Sequence, residues 1–139
     1  MTLNYLAILV ASVAQFIIGA IWYMPIFGKV WGKIHGVDFL PPEELKVMQK
    51  KMLPYLILQF VTTIVTTVVL AIFITYLAGD WNVYALAGFI WIGFVVPTQV
   101  GAVVFGGTKN EWMVKKILIM AGGSLLCLEA AAIIIKWML

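Results

Sequence analysis

Four apolar stretches separated by three polar connections account for most of the chain. Residues 3–24, 53–78, 83–105 and 114–137 are each long enough to cross a bilayer, since a spanning helix takes about 20 mostly apolar residues. Within them Lys, Arg and Asp are missing until Lys115, Lys116 and Lys136, at the two ends of the fourth. The first stretch is longer than a signal-peptide core and no lysine precedes it, so it reads as a span and not as a cleaved leader.

The connections differ in kind. The first, 25–52, is long. The second, "GDWN" at 79–82, is a tight polar turn that predicts spans two and three as antiparallel neighbours. The third, 106–113, is short and polar and makes a second hairpin of spans three and four. Inside the long connection, "PPEELKVMQKKM" starts with prolines and acids and ends in lysines, as the helix dipole favours. Leu45, Met48 and Met52 share one face there. The expectation is a short amphipathic helix on the membrane surface, stopped by Pro54.

The expected fold is therefore an all-α integral membrane protein of one domain, 1–139. It is an up-down bundle of four transmembrane helices, with the amphipathic helix between helices 1 and 2. Orientation follows from the lysines. Lys29, Lys33, Lys46, Lys50 and Lys51 lie in the first connection, Lys109 in the third, and Lys115 and Lys116 just after it. Connections 25–52 and 106–113 fall on one side by parity. The lysine bias places both in the cytoplasm and both termini outside, across a cell (inner) membrane. Trp22, Tyr23, Tyr55 and Trp112 would belt the cytoplasmic interface, and Tyr5, Tyr76, Trp81, Tyr84 and Trp137 the outer one.

Composition supports the bilayer as solvent. The chain of 139 residues is 64% hydrophobic and 11% charged, with mean hydropathy +1.08. A soluble domain is typically about 45–50% apolar and about 25% charged. The net charge of +3 comes from lysine alone. It is explained by membrane topology, so no nucleic-acid partner is expected. One cysteine, Cys127, and one histidine, His35, exclude an internal disulfide and multi-Cys or bis-His metal sites within one chain. No cofactor is expected. His35 belongs to a connection while Ser12 and Ser124 lie inside spans, so no catalytic constellation emerges, and the chain reads as non-enzymatic.

The candidate chemistry lies in the spans, which carry Gln15, Gln59, Gln99 and Glu129 in turn. Polar groups in hydrocarbon face the bundle and pair. At about 1.5 Å of rise per residue, Gln15 falls near mid-depth, Gln59 and Gln99 at matching depth in the cytoplasmic half, and Glu129 in the outer half. Gln59 and Gln99 are thus within reach of one another. Two readings stay open: interhelical bonding, or a polar path. Glu129 is either protonated or paired with Lys136, or it binds a proton or cation. Pro97, two residues before Gln99, predicts a kink that Gly93 would ease.

The end of the first span reads "GAIWYMPIFGKVW". Gly19, Trp22, Tyr23, Pro25, Phe27, Gly28, Lys29 and Trp31 make a denser pattern than a membrane anchor requires. Together with "WIGFVVPT" at 91–98 and "EWMVKKILIMAGG" at 111–123, it resembles the DUF1761 family of small membrane proteins. That resemblance implies membrane location, four spans and a long first connection, and brings no activity. Glu129 lies outside the family's pattern. Two functions follow as expectations. One is binding or permeation of a small solute or ion by an oligomer, with the four polar side chains lining the path. The other is an accessory or scaffold protein that packs against a larger membrane partner through the "WYMPIFGKVW" exit.

Overall fold

The structure is a computed structural model and describes residues 2–139. Helix α1 (Tyr5–Ile21) opens on Asn4, whose side-chain oxygen accepts the Ala7 N–H at 3.0 Å and satisfies one orphan donor of the first turn. Pro25 cannot donate, and the helix answers by widening. Over Trp22–Ile26 the turns become π-type, and Phe27 N–H reaches back five residues to the Trp22 carbonyl at 3.0 Å. A short helix α2 (Gly28–Ile34) follows, and the chain reverses at Gly36 with φ +69°, a conformation that favours glycine.

Helix α3 (Pro42–Ile72) is continuous through Pro54 and runs on as a π-type turn over Phe73–Leu77. The stop expected at Pro54 does not occur, and "PPEELKVMQKKM" forms the first turns of the span itself. The physical reason lies in the surroundings. Proline deprives the Lys50 carbonyl of its donor and crowds it, but every residue from 46 to 59 is exposed. Nothing packed there resists a small adjustment, and an apolar helical run follows at once.

Helices α4 (Val83–Ile90) and α5 (Val96–Phe105) are one rod joined by a π-type turn, Trp91–Val95. Asn82 caps its start by accepting the Tyr84 N–H at 2.9 Å. The disturbance expected at Pro97 takes the form of this wide turn, in which Val96 N–H donates to the Trp91 carbonyl. A 3-10 turn (Asn110–Trp112) leads into α6 (Met113–Met138). Four helices, Tyr5–Ile26, Pro42–Leu77, Val83–Phe105 and Asn110–Met138, are long and apolar enough to cross a membrane. No strand occurs among the described residues.

Helix α6 organises the bundle. It packs along α1, along α4 and α5, and against the end of α3. The sequence predicts spans two and three side by side because the turn between them is short. The structure corrects this: α4 and α5 pack on α6, and α3 packs on α1. Between α3 and α4 an open apolar cleft of about 270 Å³ remains, lined by Phe73, Leu77, Phe89 and Phe94 among others. A tight turn fixes where a chain reverses, while side-chain fit decides which helices touch.

The buried core sits towards the end of the bundle that holds the 79–82 turn. It gathers Ile8 and Ala11 of α1, Leu70, Ala71 and Ile74 of α3, Leu86 and Ala87 of α4, and Leu128, Ala131, Ala132 and Ile135 of α6. The many alanines let the helices approach closely. At the same end the Asn4 side chain donates to the Met138 carbonyl at 2.7 Å. At the opposite, lysine-bearing end the described residues bury fewer apolar side chains, Val103, Ile119 and Ala121 among them, and polar contacts add to the packing.

Candidate functional site

At the lysine-bearing half of α6, three successive backbone carbonyls each receive a side-chain N–H from a different turn of the bundle. Trp22 Nε1 donates to the Ile119 carbonyl at 2.8 Å. Gln99 Nε2 donates to the Met120 carbonyl at 3.4 Å. Trp91 Nε1 donates to the Ala121 carbonyl at 2.8 Å and lies 3.2 Å from Ser124 Oγ. The Ser124 hydroxyl sits 3.0 Å from the Ala121 carbonyl and 3.4 Å from Gln99 Oε1. In a medium without water an indole N–H must find an acceptor within the protein, and here α6 supplies it.

Glycine makes the approach possible. A β-carbon on Gly122 would lie 2.9 Å from Trp22 Cζ2, and one on Gly123 2.8 Å from Trp22 Cδ1. The indole therefore lies on bare backbone. Trp22 and Trp91 each begin a π-type turn, and both use the widened turn to reach carbonyls two residues apart on the same helix. "GAIWYMPIFGKVW", "WIGFVVPT" and "ILIMAGGS", far apart in the chain, thus meet at one node.

A second cluster continues from it at the lysine-bearing end. Phe27 leans on Trp22, ring centres 4.7 Å apart. Tyr23 meets Trp31 edge-on at 4.8 Å, and Trp31 packs against His35 at 4.5 Å. Lys116 sends its ammonium over the Trp31 ring at 5.6 Å and to His35 Nε2 at 3.3 Å. His35 Nδ1 lies 2.8 Å from the Trp31 carbonyl. The consistent tautomer has Nδ1–H donating to the carbonyl while Nε2 accepts from Lys116. Of the remaining motif residues, Gly28 starts α2 with a β-carbon position 3.5 Å from the Tyr23 carbonyl. Pro25 lies exposed within the π-type turn, and Gly19 faces open space.

The four intramembrane polar residues go to four separate environments. Gln15 is buried and donates to Thr67 Oγ1 of α3 at 2.6 Å, while Thr67 donates to its own Thr63 carbonyl at 2.7 Å. Gln99 belongs to the tryptophan node. Gln59 is exposed on α3, and its carboxamide makes no hydrogen bond among the described residues, so the expected Gln59–Gln99 pair does not form. Glu129 faces α4, where a β-carbon on Gly88 would sit 3.8 Å from its Oε1. Its Oε2 is enclosed and makes no hydrogen bond among the described residues.

Nor does Glu129 pair with Lys136 among the described residues. Lys136 lines a cleft of about 350 Å³ at the end of the bundle with Trp81, Tyr84 and Trp137, where a long amphipathic side chain reaches the interface. No group of three His, Cys, Asp or Glu side chains that could hold a metal ion occurs among the described residues. Sequence reading missed Trp91, Ser124 and Thr67 as partners. The available signal was that each is a hydrogen-bonding group on the same helical turn as a small residue or a glutamine.

Four helices long and apolar enough to cross a bilayer, two of them fastened to α6 through tryptophan N–H groups, define a multi-pass α-helical membrane protein. The chain belongs to the DUF1761 family, described as a protein family of unknown function, whose model matches residues 6–136. No curated protein and no solved structure matches it.

Proposed function

We propose that this protein is a non-enzymatic accessory membrane protein, an up-down four-helix bundle that packs against a larger membrane partner. Its lysine-bearing connections face the cytoplasm in this reading. The observation that carries it is the separation of Gln15, Gln59, Gln99 and Glu129. Residues that line a path share a space, whereas here Gln15 and Gln99 fasten helices and Gln59 and Glu129 point elsewhere. The first turns of α3 then serve as a docking rod. Glu43, Glu44, Lys46, Val47, Met48, Lys50 and Lys51 are all exposed there.

Two measurements test this. Proteoliposomes of the purified protein should pass protons and rubidium no faster than empty vesicles. A photo-crosslinker at Val47, in native membranes, should trap one membrane protein in stoichiometric yield. Flux that falls in Glu129→Gln would overturn the proposal.

A second reading rests on the enclosed Glu129 Oε2, which has no partner among the described residues. An intramembrane carboxylate in that position is suited to binding a proton or cation, and in this reading the oligomer is a permeation protein. The same flux assay decides between the two.

A further inference from the structure

Helix α3 is packed along only part of its length. From Thr67 onwards it contributes Thr67, Leu70, Ala71, Ile74 and Thr75 to the buried interior. Before that, every residue from 46 to 59 is exposed, and so are Val61, Thr62, Val65 and Thr66. Apolar side chains there face lipid without cost. One side chain does not fit that solvent, the Gln59 carboxamide. It lies six residues, about 9 Å of helix rise, beyond Leu53, where the uninterrupted apolar run begins.

The polar neighbours of Gln59 are already satisfied. Thr62 and Thr63 both donate to the Gln59 backbone carbonyl, at 2.9 and 2.8 Å, and Thr66 donates to the Thr62 carbonyl at 3.1 Å. These hydroxyls tolerate lipid because they bond to their own helix. The Gln59 side chain, with two donor hydrogens and an acceptor oxygen, has no such partner among the described residues. An unbonded amide in hydrocarbon costs several kcal/mol, so the face around it calls for a polar cover.

We propose that a second copy of this chain supplies that cover, two α3 helices crossing at Gln59 about a two-fold axis. A carboxamide is self-complementary: across the axis each Gln59 donates to the oxygen of its twin and accepts in return. A two-fold interface sets the same residue against itself, which an amide satisfies and a carboxylate or ammonium does not. Thr62 and Thr66 lie four residues apart on the same exposed face, the small-xxx-small spacing that lets two helix backbones approach closely in a membrane. Gln59 is the hydrogen-bonding group and the threonines are the contact surface. The pairing leaves α2 and the first turns of α3 free, so it stands independently of the docking partner proposed above.

Single-molecule photobleaching of fluorescently labelled protein in synthetic phosphatidylcholine–phosphatidylglycerol vesicles tests the pairing with no other protein present. The wild type should bleach in two steps at densities where Gln59→Leu bleaches in one. Self-association of the variant should be roughly three- to thirty-fold weaker, and Gln59→Asn should recover part of it. Thermal unfolding of Gln59→Leu should match the wild type, because the side chain is exposed and its carboxamide makes no hydrogen bond among the described residues of its own bundle. In a Cys127→Ala background, oxidation should join two copies through Thr62→Cys and not through Val61→Cys on the far side of the helix. Single-step bleaching of the wild type, undiminished dimer in Gln59→Leu, or cross-linking through Val61→Cys in preference to Thr62→Cys would each overturn the proposal.

Discussion

Trp22 sets the Nε1 edge of its indole against the backbone of Gly123, so close that a β-carbon there would fall 2.8 Å from its Cδ1 and 2.9 Å from its Nε1. The indole cannot slide away freely, because its Nε1 is tied to the Ile119 carbonyl one turn earlier on the same helix. Gly123→Ala is therefore expected to destabilise the bundle by about 1–3 kcal/mol. In a double-mutant cycle with Trp22→Leu the two costs should fail to add, since the smaller side chain removes the collision. Equilibrium unfolding in mixed micelles provides the four values, and strict additivity would show that the two residues do not touch.

Trp91 offers a cleaner test of the hydrogen bonds. Replacing it by Phe keeps most of the ring but removes the N–H that reaches the Ala121 carbonyl and Ser124. Membrane hydrogen bonds between side chains and neighbouring helices contribute about 0.6 kcal/mol on average and about 1.7 at most. Trp91→Phe should lose an amount in that range on unfolding in micelles. Ser124→Ala should lose less, because the Ala121 carbonyl still accepts the indole N–H.

The Gln15–Thr67 bond, at 2.6 Å and buried, predicts an asymmetry. Thr67→Val removes the shorter of the two acceptors of the Gln15 amide and leaves it only the Ala11 carbonyl at 3.4 Å, at a cost of about 1 kcal/mol. Gln15→Leu leaves Thr67 still donating to its own Thr63 carbonyl, so it should cost less. The double variant Gln15→Leu/Thr67→Val should be more stable than Thr67→Val alone, as the unfolding midpoints of the three variants will show.

For Glu129 the structure predicts little effect of removing charge on folding. Its carboxylate makes no ion pair with Lys136 among the described residues, so Lys136→Gln should shift stability by no more than about 0.5 kcal/mol. Glu129→Gln should unfold close to the wild-type midpoint, because it exchanges an enclosed, unbonded carboxyl for an equally unbonded amide. A large loss in Lys136→Gln alone would point to a pairing that the structure does not contain.

How far the chain reveals itself depends on the length scale. The apolar runs dictate helices directly, because hydrocarbon leaves the backbone no other way to satisfy itself. Pro97 announced a disturbance, but not that it is absorbed by a widened turn that aims Trp91 at α6. Pro54 misled, because a proline breaks a helix only where the environment cannot supply what it removes. The "GDWN" turn misled similarly, since α6 offers α4 and α5 small residues that α3 does not match. Gln99 and Gln59 lie at similar depth, and depth is readable from residue spacing. Which way each side points is not, because it depends on the rotation of whole helices about their axes. Gly122 and Gly123 are plain in the chain, while the indole they admit comes from a hundred residues upstream.

Helix α6 touches α1, α3, α4 and α5, and it is the last of the four spans to leave the ribosome. Until it inserts, Trp22, Trp91 and Gln99 have no carbonyls to donate to, and α4 has nothing to lie against. The first three spans can enter the bilayer one by one, and α1 and α3 can pair through Gln15 and Thr67, but α4 and α5 cannot join them before α6 arrives. The bundle closes only in a late step, so a chain truncated before 113 should look to membrane quality control like an unassembled subunit and not like a smaller protein.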